Sequence, residues 1–386
     1  MTEHITTTDR APAGVGSGAV AVARVAAAHA KAGEEDRRLA PEVVAALVEA
    51  GFARHFVPAV HGGADGGFAE LTEAVARVGE GCTSAAWAAS LAAYAGRYAA
   101  YLPPQAQEEI WGGGPDVLLA GALIPSGKVE RTSRGWRLTG DWPYISGVHH
   151  ADWVLACATV RDDDTGEDDE VRFFAVPRAE HRIERTWSTS GMRATGSDTL
   201  VLDGVVVPEH RSFPRARVLA GRAPGSVARC HTVRMAEVGA LPFVAPLIGA
   251  VRGALRAWTA RTSLRVDARG RAVAASPLVQ STLARAAGEV DAAELLVLRA
   301  AAVADGDARV SGDDSALRGP RDTALAVELL VAAVGRIMRA SGTSGQTESD
   351  PVQRFWRDVN AAASHVALSF DSAGTAYGAW ALKEAR

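Results

Sequence analysis

Few of the 386 residues have side chains suited to chemistry near neutral pH, and they gather in short runs. Asp141-Trp142-Pro143-Tyr144-Ile145-Ser146-Gly147 sets an apolar plate beside a small hydroxyl. Such a run can exclude water and contact a ring, and it is also an ordinary strand end. Gly191-Met192-Arg193-Ala194-Thr195-Gly196-Ser197-Asp198 is a Gly-rich loop rich in hydroxyls. Its Ser and Asp can satisfy their own backbone or reach a ligand. His365 follows Arg357-Asp358 by seven positions. A histidine in that setting can act as a base or hydrogen-bond partner, or be a bystander. Arg357 and Asp358 are expected to form a structural ion pair. His149-His150 are paired but lack further ligands in sequence, so no metal site is expected.

Composition narrows the classes. The net charge is −4, which gives no pull towards nucleic acid or an acidic membrane. Cys82, Cys157 and Cys230 are scattered and odd in number, so a reducing cytoplasm is expected rather than a disulfide framework. The start of the chain lacks a basic-then-apolar export pattern. The most apolar stretch, Val238 to Ala254, is interrupted by Arg252 and two prolines, so no membrane span is expected.

The elements that must position these residues fall into three textures. After a polar tail over 1–17, helical periodicity runs from 18 to about 115, with Leu39, Val43, Val44, Leu47 and Val48 on one face. Short runs rich in β-branched and aromatic residues follow to about 225, including Trp153-Val160 and Leu200-Val207, and read as an antiparallel β-domain. The acidic run Asp162 to Glu170 reads as a solvated hairpin tip. From 226 to 386 four long helices are expected: Arg252 to Arg265, Leu278 to Ala304, Thr323 to Ala340 and Pro351 to Asp371. They suggest an up-and-down four-helix bundle. The fold class is therefore α+β multidomain. No strand–helix alternation and no G-x-G-x-x-G after a strand supports a Rossmann unit.

Four segments, taken in order, resemble the acyl-CoA dehydrogenase fold superfamily from about residue 30 to the end. They are Gly51-Phe52 through Gly79-Glu80 to Ser84-Ala85-Ala86-Trp87; Asp141 to Gly147 with Asp152-Trp153; Gly191 to Asp198; and Gly342-Thr343-Ser344-Gly345 with Pro351 to Asp358 and His365. The likeness is greatest to the two-component (group D) flavin-dependent monooxygenases. These include oxygenase components of 4-hydroxyphenylacetate hydroxylases, dibenzothiophene monooxygenase and aromatic polyketide hydroxylases. The resemblance implies that Tyr144 flanks the flavin ring and that the Ser146 hydroxyl bonds flavin N5. Trp142 and Gly147 join them in the cofactor-binding set. Leu123, in Leu123-Ile124-Pro125, would touch flavin through its backbone, and Thr195 and Ser197 from the loop beside it. Arg261, with Arg265 near it, is the candidate for flavin phosphate. Ser146 and His365 are the candidate catalytic residues. The first segment would line the substrate cavity, with helix packing as the ordinary role of most of its residues.

Two departures separate a dehydrogenase from an oxygenase. Acyl-CoA oxidation needs a carboxylate base. Its aligned place holds Val366, and the alternative place, about Pro242-Phe243, carries no acid, while Glu237 is out of register. The resemblance therefore implies an oxygenase that hydroxylates an aromatic, phenolic or polyketide-like small molecule through a C4a-hydroperoxyflavin. Its cofactors would be reduced flavin (FMNH2 or FADH2) and molecular oxygen, without metal. With no nicotinamide fingerprint, it would need a separate NAD(P)H flavin reductase, and the family's association implies a homotetramer. Several phenol hydroxylases of the family carry a histidine on the third N-terminal helix, where this chain has Ala93-Tyr94-Ala95-Gly96, and Asn360 stands where histidine is frequent. N-hydroxylation, S-oxidation, a dehydrogenase-like or redox-neutral flavoenzyme, and a non-catalytic scaffold therefore stay open.

Overall fold

The computed structural model describes residues 14–161, 169–312 and 314–385. Five helices come first: α1 (Val15–Asp36), α2 (Pro41–Glu49), α3 (Phe68–Gly79), α4 (Thr83–Ala99) and α5 (Pro104–Trp111). The first begins inside the expected tail because Val15 and Ala19 bury their side chains. The rest of that tail lies outside the described residues. Pro41 and Pro104 open α2 and α5, where the missing N–H costs nothing.

Two four-stranded sheets follow. One has the order β1 (Leu119–Gly121), β4 (Trp153–Val160), β5 (Glu170–Pro177), β8 (Ser212–Pro214). The other runs β2 (Lys128–Thr132), β3 (Gly135–Ile145), β7 (Asp198–Val207), β6 (Arg182–Glu184). All strand pairs are antiparallel except β1 with β4, which is parallel. The alternating residues Trp136, Leu138 and Trp142 of β3 face inwards, with Phe174 and Val176 of β5 in the same core. The expected acidic hairpin tip lies almost entirely outside the described residues.

Short helices α6 (Arg215–Ala220), α7 (Arg229–Thr232) and α8 (Met235–Val238) lead to α9 (Leu241–Ser263), α10 (Pro277–Ala304), α11 (Ser315–Ala340), α12 (Pro351–Ala363) and α13 (Phe370–Glu384). Two helices start well before their expected positions. Pro242 is tolerated in the first turn of α9, and Pro246 and Pro320 are carried inside helices held by packing. The stretch Met235–Ser263 is long and apolar enough to cross a membrane, yet 78% of its apolar window is buried in the protein. It is the core helix, crossing α3, α4, α10, α11 and α12. At its crossing with α3 two glycines meet. A Cβ on Gly249 would stand 2.0 Å from the Ala76 carbonyl oxygen, and one on Gly79 would stand 2.7 Å from that of Pro246.

The expected helix Pro351 to Asp371 breaks in two. After Ala363 the chain turns extended at His365 (φ −66°, ψ 132°) before a single 3-10 turn, Val366–Leu368. The Ser364 hydroxyl donates to the Ala361 carbonyl, and the His365 ring accepts from a backbone N–H two residues on. Side chains that bond their own backbone in this way compete with helix continuation.

Candidate active site

Ser146 follows β3 directly, after a shift of register between Trp142 and Ile145. The shift throws Tyr144 outwards with a left-handed backbone (φ 66°), leaving its side chain 72% exposed. A bulky non-glycine residue in that conformation costs on the order of 1–3 kcal/mol and collects at functional sites. Tyr144 meets the edge of Trp187 at 6.1 Å between ring centroids. Trp187 is fixed by its indole N–H on the Met192 carbonyl (2.9 Å) and its backbone N–H on Asp198 (2.8 Å). Gly147 has φ 74°, and its N–H donates to the Thr195 carbonyl, tying the two hydroxyl-bearing segments together.

Three hydroxyls form a chain whose proton order can be worked out. The Thr195 hydroxyl donates to the Met192 carbonyl (2.8 Å). A hydroxyl has one proton, so Thr195 must accept from Ser197 (2.7 Å). Ser197 in turn must accept from Ser146 (2.7 Å). The Trp87 indole, a donor only, donates to the Ser146 oxygen (3.1 Å). Ser146 therefore spends its proton inwards and offers its remaining lone pair outwards. Thr195 and Ser197 are themselves buried.

The same Trp87, on α4, reaches His365. Its ring meets the His365 ring edge-on at 5.9 Å, and both pack with Phe243 of α9. Phe243 lies almost flat on the imidazole, with 3.8 Å between centroids and 26° between planes. Burial holds His365 below the ordinary histidine value, so it is neutral near pH 7. Its Nδ1 accepts the Ala367 N–H (3.2 Å), which places the neutral ring's proton on Nε2. In this state His365 is a hydrogen-bond donor and not a base. Of the two roles expected of this residue, base or hydrogen-bond partner, this tautomer favours the second.

Of three other expected site residues, Trp142 is placed differently, and Leu123 and Arg261 each already have a partner. Trp142 is fully buried in the sheet core, with its indole on the Cys157 carbonyl (2.6 Å), so it has no face for a cofactor. The Leu123 carbonyl accepts from Arg215 (3.4 Å). Arg261 pairs through Nη1 with Asp350, the N-cap of α12, while its Nε and Nη2 are buried without a hydrogen-bond partner. Arg357 and Asp358 do not pair with each other. Asp358 accepts the Met192 N–H (2.6 Å), and Arg357 reaches Glu34 and the Ser190 carbonyl. They clamp the hydroxyl-bearing loop onto α12 and α1.

Of the paired histidines, His149 bonds Asp198 (2.6 Å). Burial alone would raise the Asp198 carboxyl, but bonds from His149, Trp187 and Thr186 outweigh it and hold it low. His150 lines a small apolar cavity of about 30 Å³, together with Ser146, Gly147, Leu39, Phe52 and Ala88. Among the described residues one cluster has metal-ligand spacing: Asp65, Cys230 and His231. Both ring nitrogens of His231 are engaged, with the Phe56 carbonyl and the Ser226 hydroxyl at 2.7 Å each, so no lone pair is free for an ion. The three cysteines are free and buried.

Residues 241–370 match the family model described as acyl-CoA dehydrogenase, C-terminal domain. The whole chain is similar to an FADH2-dependent resorcinol hydroxylase, oxygenase component, of Rhizobium sp., at 34% identity over 361 residues covering 89% of this chain and 88% of that protein. The chain belongs to the oxygenase components of the flavin-dependent monooxygenases. A pigment production hydroxylase of Rhodococcus sp. is 31% identical, covering 90% and 91% of the two chains. Among solved structures, the 3-HSA hydroxylase of Rhodococcus sp. RHA1 superposes with a TM-score of 0.89 at 27% identity, covering 96% and 97%. XiaF from Streptomyces sp., solved with FADH2 and glycerol, gives 0.87 at 30% identity, covering 94% and 93%. The acyl-CoA dehydrogenase-like fold read from the sequence is thus confirmed, and so is the oxygenase branch. The position of a dehydrogenase's base agrees: Phe243 packs on His365, and Val366 is exposed. Glu237 is held by Arg234 on α8.

Trp87, Trp187 and Phe243 were not recognisable as site residues from sequence. Each acts through a partner more than 40 positions away; Trp87 ended a segment read as helix packing, and Phe243 stood at the acid-free alternative place of a dehydrogenase's base.

Proposed function

We propose that this oxygenase hydroxylates a phenolic small molecule, using reduced flavin and oxygen supplied in concert with a separate NAD(P)H flavin reductase. The names of its relatives, a resorcinol hydroxylase and a p-hydroxyphenylacetate 3-hydroxylase, support an aromatic phenol as the substrate class. The observation that carries the reading is the polarity of the hydroxyl chain. Ser146 faces outwards as an acceptor, and a reduced flavin presents an N5–H donor where the oxidised form presents an acceptor.

The residues fit such a cofactor. Ser146 would hold N5–H, Tyr144 and Trp187 would cover one face of the ring, and Gly147 would let the ring approach the backbone. Thr195 and Ser197 act through Ser146. Arg261, with its two unpartnered nitrogens, would take the phosphate, contributed from a neighbouring subunit of a homotetramer. Exposed Leu264, Leu278 and Leu295 on the bundle side support such an assembly. When bound, the flavin supplies the electrons that activate oxygen; the binding and oxygen chemistry belong to it. The protein's part is to keep water out with Trp87 and Phe243, and to offer the His365 Nε2–H as a donor held beside Trp87. Such a preorganised donor is worth about 10²–10³ in rate.

Anaerobic titration with oxidised and photoreduced flavin tests the polarity. Reduced flavin should bind about 10–100-fold more tightly, the range expected when one state leaves a buried acceptor facing another acceptor. Ser146→Ala should bring the two affinities within about threefold. Equal affinities in the unaltered protein would refute the reading.

A further inference from the structure

We propose that Asp198 and His149 form a positioning pair for the oxygenation reaction, holding the turn that carries Ser146 in register with the Trp187 ring. This rests on the reading above, in which Ser146 meets flavin N5–H and Trp187 covers the ring. The turn after β3 has little backbone support of its own. Its ladder to β7 ends at Ile145, opposite Asp198. Beyond that, the Gly147 N–H reaches the Thr195 carbonyl and the His150 N–H closes the turn on Gly147. Tyr144 and Gly147 both have left-handed backbones (φ 66° and 74°), so the segment departs from the strand that precedes it. An anchor on the far side of Ser146 comes from a side chain: His149 bonds Asp198 at 2.6 Å.

The carboxylate sets the direction of that bond. Held low by its hydrogen bonds against the effect of burial, Asp198 is ionised near pH 7 and can only accept. His149 Nε2 therefore carries a proton and donates it. The two carboxylate oxygens serve different segments. Oδ2 takes His149, while Oδ1 takes the backbone N–H of Thr186 (2.7 Å) and of Trp187 (2.8 Å). Asp198 also directly follows Ser197, the middle hydroxyl of the chain. One carboxylate thus ties together the Ser146 turn, the Trp187 plate and the hydroxyl-bearing loop. Only 16% of the His149 side chain and 6% of the Asp198 side chain are exposed, and a charge-assisted bond is strong where water is scarce. The His149 ring passes over Gly196, whose left-handed backbone (φ 53°) carries no side chain. A Cβ there would stand 3.2 Å from His149 Cδ2.

The test uses the full chain and three variants. His149→Phe keeps a ring without a donor, His149→Gln keeps an N–H near the place of Nε2–H, and His149→Asn carries an amide too short to reach Asp198. Circular dichroism checks that each folds. Anaerobic titration with oxidised and photoreduced flavin gives the ratio of the two affinities, which a merely structural loss leaves unchanged because it weakens both alike. His149→Phe should bring the two affinities within about threefold, as expected of Ser146→Ala, and the double variant should be no worse than Ser146→Ala alone, the non-additivity of residues that act as one unit. His149→Gln should keep most of the parent's preference for reduced flavin, and His149→Asn should lose it. With reduced flavin, air and a panel of phenols (resorcinol, 4-hydroxyphenylacetate, 2-naphthol), His149→Phe and His149→Asn should release mostly hydrogen peroxide. If the parent prefers reduced flavin and His149→Phe keeps that preference, the positioning role is overturned while the reading of Ser146 stands. If His149→Phe fails to fold, equal preferences in His149→Gln and His149→Asn overturn it instead. If the parent shows no preference, the reading of Ser146 fails and the positioning role falls with it.

Discussion

Ser146 sits where three demands meet: it follows directly on β3, it accepts from Trp87, and it passes its proton to Ser197. Removing its oxygen strands the Trp87 N–H and breaks the proton order. Ser146→Ala should therefore still consume oxygen with reduced flavin but release mostly hydrogen peroxide, which a coupled peroxide and product assay measures. His365 should behave differently. His365→Ala should lower product formation about 10²–10³-fold, the cost of one preorganised donor. Flavin affinity should stay close to parental, because the ring packs on Phe243 rather than on the hydroxyl chain. His365→Gln, which keeps an N–H donor, should recover part of the loss, whereas rescue would be absent if a base were needed. Tyr144, Ser146, Thr195 and Ser197 were picked out by the resemblance of their runs to flavin-binding segments rather than by local pattern, and the structure joins Ser146, Ser197 and Thr195 in one hydroxyl chain. Trp142 was misread because the alternation of β3 puts it on the inner face while Tyr144, two positions on, is turned out by the change of register.

Elements hold this site through a few buried polar contacts. Asp358 of α12 accepts the Met192 N–H, at the start of the turn that carries Thr195 and Ser197. Burial pushes its carboxyl up to about 6, against bonding to Met192 and the nearby Arg354. The folded protein thus holds this proton more tightly than the unfolded chain. The associated stability is fully present below the ordinary value of 3.8 and is lost as pH rises through about 6. It amounts to roughly 3 kcal/mol at most. Asp358→Asn keeps an acceptor for Met192 and removes the charge. Its denaturation midpoint should lose the fall between pH 4 and 7 that the parent shows in urea titrations. The α3–α9 crossing makes a second prediction. Gly249→Ala would drive a methyl to 2.0 Å from the Ala76 oxygen, so the helices must separate. Overpacking of this kind costs about 1–3 kcal/mol or more, and a thermal melt should show it. The long periodic helices α10 and α11 were legible from their spacing. The break at His365 was not, because it depends on side chains bonding their own backbone, and the early start of α9 was hidden by prolines that tertiary packing tolerates.

For the molecule as a whole, three groups of elements supply one site: α4 gives Trp87, the two sheets give Ser146 and Tyr144, and the bundle side gives Phe243 and His365. The order of helices, strands and helices was legible because each texture has its own period. The meeting of Trp87, Ser146 and His365 was not, since no local pattern encodes contacts across such separations. If Arg261 completes a neighbour's site, Arg261→Ala should weaken flavin binding about 10-fold or more, in line with the loss of a charge-assisted bond. Mixing it with Ser146→Ala subunits should then form some intact sites and recover activity. The most direct test of the central claim supplies photoreduced flavin and labelled oxygen gas (18O2) to the purified chain with the phenol panel, with no reductase and no nicotinamide. The account predicts one 18O atom in the hydroxylated product, and no NADH oxidation by the chain with oxidised flavin. Product oxygen derived from water, or rapid NADH consumption by this chain alone, would contradict it.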